Sequence, residues 1–209
     1  MTGLPVTLIV ISTTVVAFGA DSLPRLNVAP QSVEQLWAGY DPRSEPLEVQ
    51  VVREFQEDDL TLRYVIYSIG TFKGKPARMA AFYGFPTEGT KLPAVMHMHG
   101  GGQRAFPQVV KRYAQRGYAA LSVNWGGWPM EDAQADDPNT NWGAVDPTQN
   151  NVGGYSNLLP QDNTIDPFPS ARNNNWFLLT IGCRRGITFL QQQAEADAEA
   201  PSRAAMPVA

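Results

Sequence analysis

One short stretch, Pro93-Ala94-Val95-Met96-His97-Met98-His99-Gly100-Gly101-Gly102-Gln103, constrains this chain more than any other: an apolar run that ends in a histidine and three consecutive glycines. A run this short between turn signals predicts a buried strand breaking into a loop. Glycines have no Cβ, so such a loop can take positive φ angles and bring its amides close to a bound group. Directly after it, Phe106, Val109, Val110, Tyr113 and Ala114 fall at helical spacing, with Pro107 suited to the first turn and Gly117 to the stop. Tyr118 to Asn124 then reads as a second short strand. Two strands joined by one helix predict a βαβ unit with a parallel, right-handed crossover.

Upstream the period is two. Leu47, Val49 and Val51 alternate with Glu48, Gln50 and Val52, and Leu60, Leu62, Tyr64, Ile66 and Ser68 alternate with Thr61, Arg63, Val65 and Tyr67. These predict two strands around the acidic turn Gln56-Glu57-Asp58-Asp59. A third run, Ala77 to Phe85, follows the turn Gly74-Lys75-Pro76, and Pro86-Thr87-Glu88-Gly89 leads on to the glycine strand. Connections this short exclude parallel crossovers, so the fold class is α/β, with antiparallel N-terminal strands leading into a parallel βαβ sheet. Asn173 is placed to cap a later helix reaching about Gln193, with Trp176, Phe177, Leu179, Thr180, Cys183, Ile187 and Leu190 on its apolar side and Arg172, Arg184 and Arg185 partly toward solvent. On that side Cys183 reads as a buried, inert thiol, and Gly182 directly before it breaks the G-x-C-x-G register of a cysteine elbow.

Three further segments frame this core. Leu4 to Phe18 is largely apolar and is followed by Gly19-Ala20 and then Asp21-Ser22, so residues 1–20 read as a secretory signal peptide, a membrane anchor or a buried strand; the first implies a periplasmic or secreted protein. Pro24, Pro30, Pro42 and Pro46 make residues 21–46 an extended lead-in with one short helix, Ser32 to Trp37, capped by Ser32. Residues 125–172 form a long insertion rich in Gly, Pro, Asn and Asp that carries Trp125, Trp128 and Trp142. It leaves the carboxyl end of a strand, where open α/β sheets bind ligands, so its aromatics form either a substrate wall for sugar rings or a satellite core. From Ala194 the composition turns to Ala, Glu, Asp and Pro, and residues 194–209 read as a disordered tail.

The 209 residues suffice for one domain, and 16 Lys plus Arg against 20 Asp plus Glu give a net charge of −4 with no basic block. Nucleic-acid binding has no electrostatic footprint. A lone cysteine excludes an intrachain disulfide and a cysteine-based zinc site. His97 and His99 stand two apart with no third ligand implied, so neither a metal nor another cofactor is expected. The glycine cluster lacks the G-x-x-x-x-G-K-[ST] pattern, and Gln103-Arg104-Ala105 after Gly102 spoils the dinucleotide fingerprint. It stays open as an oxyanion loop, another anion cradle or a structural turn.

In order, the elements are antiparallel strands, a strand ending His99-Gly100-Gly101-Gly102, a helix, the strand ending Val123-Asn124-Trp125-Gly126-Gly127-Trp128, and a helix with Trp176-Phe177 and Cys183-Arg184-Arg185-Gly186. Over about Leu47 to Gln193 this resembles the N-terminal half of the α/β-hydrolases grouped around acetyl xylan esterases, cephalosporin-C deacetylases and dienelactone hydrolases. The resemblance implies a carboxylic-ester hydrolase of Ser-His-Asp chemistry acting on a small-molecule or carbohydrate ester. It makes His99, Gly100, Gly101 and Gly102 an HGGG-type oxyanion loop, with the Gly101 and Gly102 amides aimed at the developing charge. The family's next element is a strand entering a G-x-S-x-G elbow, followed by an acid and a histidine. None occurs here: Ser156 stands between Gly154-Tyr155 and Asn157-Leu158, and both histidines precede the glycines. The expectation is therefore a fragment that stops before its nucleophile and is inactive alone, with no catalytic residue of its own. The alternative is a non-catalytic carbohydrate-binding remnant that uses the Trp-rich insertion. Either way, the strand Tyr118 to Asn124 and its neighbour are expected to expose an apolar edge that invites aggregation.

Overall fold

The computed structural model describes residues 21–24, 26–72, 75–100, 103–125, 172 and 175–198. Helix α1 spans Val33–Trp37, strands β1, β2, β3 and β4 span Gln50–Glu57, Leu60–Phe72, Lys75–Pro86 and Ala94–Met98, helix α2 spans Pro107–Ala114, β5 spans Ala119–Val123, and helix α3 spans Asn175–Gln191. The signal peptide expected at 1–20, the bulk of the insertion at 126–171, the Asn173 cap and residues 199–209 lie outside the described residues.

Alternation along β2 builds both halves of the core. Val65, Tyr67 and Ile69 join the cluster under α3 with Met79, Ala81 and Tyr83 of β3, while Leu62, Tyr64 and Ile66 join Ala80, Phe82 and Val110 under α2. A strand covered on both faces has every second residue in each cluster, which follows from the two-residue repeat of the pleat. The five strands lie in the order β1-β2-β3-β5-β4. β1, β2 and β3 form an antiparallel meander, β3 pairs antiparallel with β5, and β4 pairs parallel with β5, so the expected βαβ unit is present.

Close approach of the helices depends on missing side chains. A Cβ at Gly84 would stand 2.8 Å from Leu62 Cδ2 and 3.1 Å from Val110 Cγ2, so this glycine lets α2 settle on β3. On the opposite face a Cβ at Gly186 would stand 3.0 Å from both Met96 Sδ and the Tyr67 hydroxyl, and one at Gly182 would collide with Met79. Tyr67 uses the approach: buried between sheet and helix, its hydroxyl donates to the Gly182 carbonyl at 3.0 Å.

Four expectations need correction. The first strand begins at Gln50 rather than Leu47, and Val49, Val51 and Val52 are exposed, because β1 is an edge strand and its register shifts between Val51 and Arg53. Arg172 and Arg185 do not face solvent. Arg185, 2% exposed, donates to the Ser68, Pro42, Glu45 and Pro46 carbonyls at 2.7–3.1 Å, and Arg172 donates to Leu36, Gln35 and Ala38 carbonyls at 2.6–3.1 Å. Both thus tie the proline-rich lead-in down, and Arg184 lies over the Trp37 ring at 4.2 Å. Residues 194–198 are ordered: Ala196 forms a parallel bridge with Leu92. Finally, among the described residues β5 is paired on both sides, and of the two strands expected at the edge only its neighbour β4 lies there.

Candidate functional site

The parallel pair β4–β5 ends in two buried polar residues side by side, His99 after β4 and Asn124 after β5. Carboxyl ends of parallel strands are where open α/β sheets bind ligands, because the strands diverge there into loops. The Asn124 side-chain oxygen accepts from the Ala105 amide at 2.9 Å, pinning the exit of the glycine loop to the end of β5. The Trp125 indole N–H donates to the His99 carbonyl at 2.7 Å, and its ring stacks on the imidazole with centroids 5.2 Å apart. One strand end therefore clamps the loop that leaves the other.

Within the loop, Gln103 closes a tight turn. Its side-chain oxygen accepts from the Gly100 amide at 3.2 Å, and its own amide donates to the Gly100 carbonyl at 3.3 Å. The Gly100 N–H is consequently engaged. Gly100 does not adopt a positive φ, and a Cβ there would meet only the Gln103 side chain at 3.6 Å, so no steric demand makes this position glycine. Gly101 and Gly102, whose amides are the expected oxyanion donors, lie outside the described residues, as do Trp128 and Trp142 of the expected substrate wall.

The two histidines have separate partners. His97 Nδ1 is 3.1 Å from the Ser122 hydroxyl on the neighbouring strand, and burial holds its pKa below the ordinary imidazole range. His99 Nδ1 is 2.9 Å from the Gly100 carbonyl, which can only accept, so Nδ1 carries the proton. Burial again pushes the His99 pKa down, against smaller opposing contributions from Gly100 and Asn124. The ring is stacked on Trp125 and 4% exposed, which makes it a structural brace rather than a base with access to substrate. Cys183 is likewise inert, its pKa pushed up to about 12 by burial. Among the described residues no three His, Cys, Asp or Glu side chains converge as metal ligands.

Asn124 and Gln103 are the site residues that sequence reasoning did not single out. The available signal was an asparagine terminating an otherwise apolar run, since a polar group buried at a strand end must find a hydrogen-bond partner. Trp125, expected in either a substrate wall or a satellite core, has its indole N–H committed to the protein.

No protein-family model matches the chain, and no curated protein does either. Solved structures do. The acetyl xylan esterase from Paenibacillus sp. R4 is similar over 76% of this chain and 46% of its own, at 19% identity and a TM-score of 0.50. Acetyl xylan esterase 1 from Thermoanaerobacterium sp. JW/SL YS485 is similar over 82% of this chain and 49% of its own, at 17% identity and a TM-score of 0.55. The chain thus spans about half the length of these structures. The likeness shows the fold alone: an open mixed five-stranded sheet with helices, as in these solved structures.

Proposed function

We propose, from the premise that the chain carries an α/β-hydrolase sheet, that it is the oxyanion-loop half of a carboxylic-ester hydrolase of the acetyl (xylan) esterase type. The observation that carries this reading is the clamp at the ends of β4 and β5, where Asn124, Gln103 and Trp125 brace both sides of the glycine loop. A loop that must hold backbone donors toward an oxyanion gains from being fixed beforehand, because donors that do not reorganise stabilise charge most. In this reading Gly101 and Gly102 supply the amides, and the serine, acid and histidine come from a segment beyond this chain. On this reading the chain alone, whose sequence holds no G-x-S-x-G, forms no acyl-enzyme. We also propose export, on the apolar run at Leu4 to Phe18.

Sequencing the DNA after the Gln193 codon tests the reading. A strand pattern followed by G-x-S-x-G in some frame supports it; absence from every frame overturns it. The sugar-binding alternative loses support from Trp125, whose ring is stacked on His99 and whose N–H is used internally.

A further inference from the structure

Where the lead-in meets β2 and α3 it leaves a niche lined by Ser22, Tyr40, Asp41, Ser44 and Glu45 of the lead-in, Ile69 of β2 and Arg185 of α3. Gly39, at φ +79°, turns the chain after α1 and brings in Tyr40, whose ring packs on Trp37 at 5.6 Å and lies under the Arg184 guanidinium at 5.0 Å. The Tyr40 hydroxyl is buried, and no described group bonds it. Burial pushes its pKa up to about 12, so at neutral pH it keeps its proton and can both donate and accept. A guanidinium carries one N–H on Nε and two on each Nη. Arg185 directs Nε to Ser68, both Nη1 hydrogens to Pro42 and Glu45, and Nη2 to Pro46, which leaves a second N–H on Nη2. Ser22, whose oxygen accepts from the Thr71 amide at 2.7 Å, has its own proton left to donate.

Size and charge restrict what can sit there. The niche offers about 10 Å³ to the centre of a water molecule, room for one water and for nothing larger. Its charges are mixed. Asp41 and Glu45 stand against an anion, and the Arg185 guanidinium stands against a cation, whose usual carbonyl ligands at Pro42 and Glu45 it already occupies. Asp41 is engaged within its own turn, its carboxylate accepting from the Arg43 amide at 2.9 Å and its carbonyl from the Ser44 hydroxyl at 2.8 Å. We propose that the niche binds one long-lived water, which accepts from the remaining Nη2 N–H of Arg185 and from the Ser22 hydroxyl and donates to the Tyr40 hydroxyl oxygen. Those are the roughly three bonds that a buried water makes. The water is then a joint between lead-in and α3, and it rests on none of the glycine-loop geometry, so it survives failure of the ester-hydrolase reading.

The test compares the full chain with its Tyr40→Phe variant, which keeps the ring and its stacking and removes the hydroxyl. Oxygen-17 relaxation dispersion of the solvent counts waters that stay bound while the molecule tumbles, and it is blind to exchange of hydroxyl protons. The expected result is a dispersion amplitude smaller by one water in Tyr40→Phe, with the circular dichroism spectrum unchanged and the melt lowered by about 2–4 °C. Equal amplitudes overturn the proposal. So does a variant that melts at or above the wild type, the outcome for a buried hydroxyl that had no partner to lose. In the wild type the Ile69 methyl protons, which line the niche, should show an NOE to water of the sign a bound molecule gives, and its absence overturns the proposal whether or not the variant folds. Wild-type melts in sodium, potassium and tetramethylammonium chloride at equal ionic strength should coincide. A melt raised by one metal ion alone, and not raised in Tyr40→Phe, makes a cation the occupant and overturns the water.

Discussion

Arg185 shows how much of this fold hangs on single polar side chains. Its guanidinium supplies donors to four carbonyls of the lead-in and β2, in a site almost closed to water. Removing it leaves buried acceptors unpaired, each at a cost of about 1–3 kcal/mol where water does not enter. We expect Arg185→Met to lower unfolding free energy by about 3 kcal/mol in urea titrations, and Arg185→Lys to recover only part, because an ammonium lacks the planar fork. The histidines give the second prediction at this scale. Burial depresses both pKa values below 6.5 in the fold, so between the folded values and 6.5 the unfolded chain binds more protons. Their stabilising contribution is present above about 6.5 and is lost as pH falls through that window. Melting temperature should drop between about pH 7 and 5.5, above the range of ordinary carboxylates, and His99→Gln should flatten the drop. A pH-independent melt in the wild type would contradict this.

Among elements, α3 approaches the sheet through positions that have no side chain. A side chain at Gly186 must displace Met96 or Tyr67, both buried, so Gly186→Val should cost about 1–3 kcal/mol by overpacking. Gly117 isolates a different effect. It ends α2 at φ +83° with nothing within 4 Å of a would-be Cβ, so Gly117→Ala should cost about 1 kcal/mol for conformation alone. Gly117 was legible in the sequence, as were β2, β3, the βαβ unit, the Ser32 cap and the buried Cys183, because each is written in local spacing. Arg172, Arg185 and the Gly182–Gly186 pair were not, since their partners lie far along the chain and no local period announces them. β1 misled for a related reason: apolar alternation normally marks a buried face, but an edge strand with a shifted register leaves its valines in water.

For the whole molecule, the sheet has two unlike edges. β1 carries a register shift and charged residues, its Glu54 paired to Arg63 of β2, features that discourage edge-to-edge pairing. β4 has an apolar groove beside it and only one bridge on its outer side among the described residues. The antiparallel entrance and parallel turn of the sheet were readable in the sequence, but the placement of β5 between β3 and β4 was not, because short strands carry no record of which neighbour they choose. The glycine loop stands at the carboxyl end of this same β4. Whether it was shaped to hold negative charge on oxygen is best read from the amide resonances of Gly101 and Gly102 in the intact chain, titrated with methylphosphonate against chloride at equal ionic strength. Saturable downfield shifts of those two amide protons, with Gly117 unmoved, are the predicted result; amides that ignore the tetrahedral anion, or that are already locked against exchange without it, would contradict the hydrolase reading.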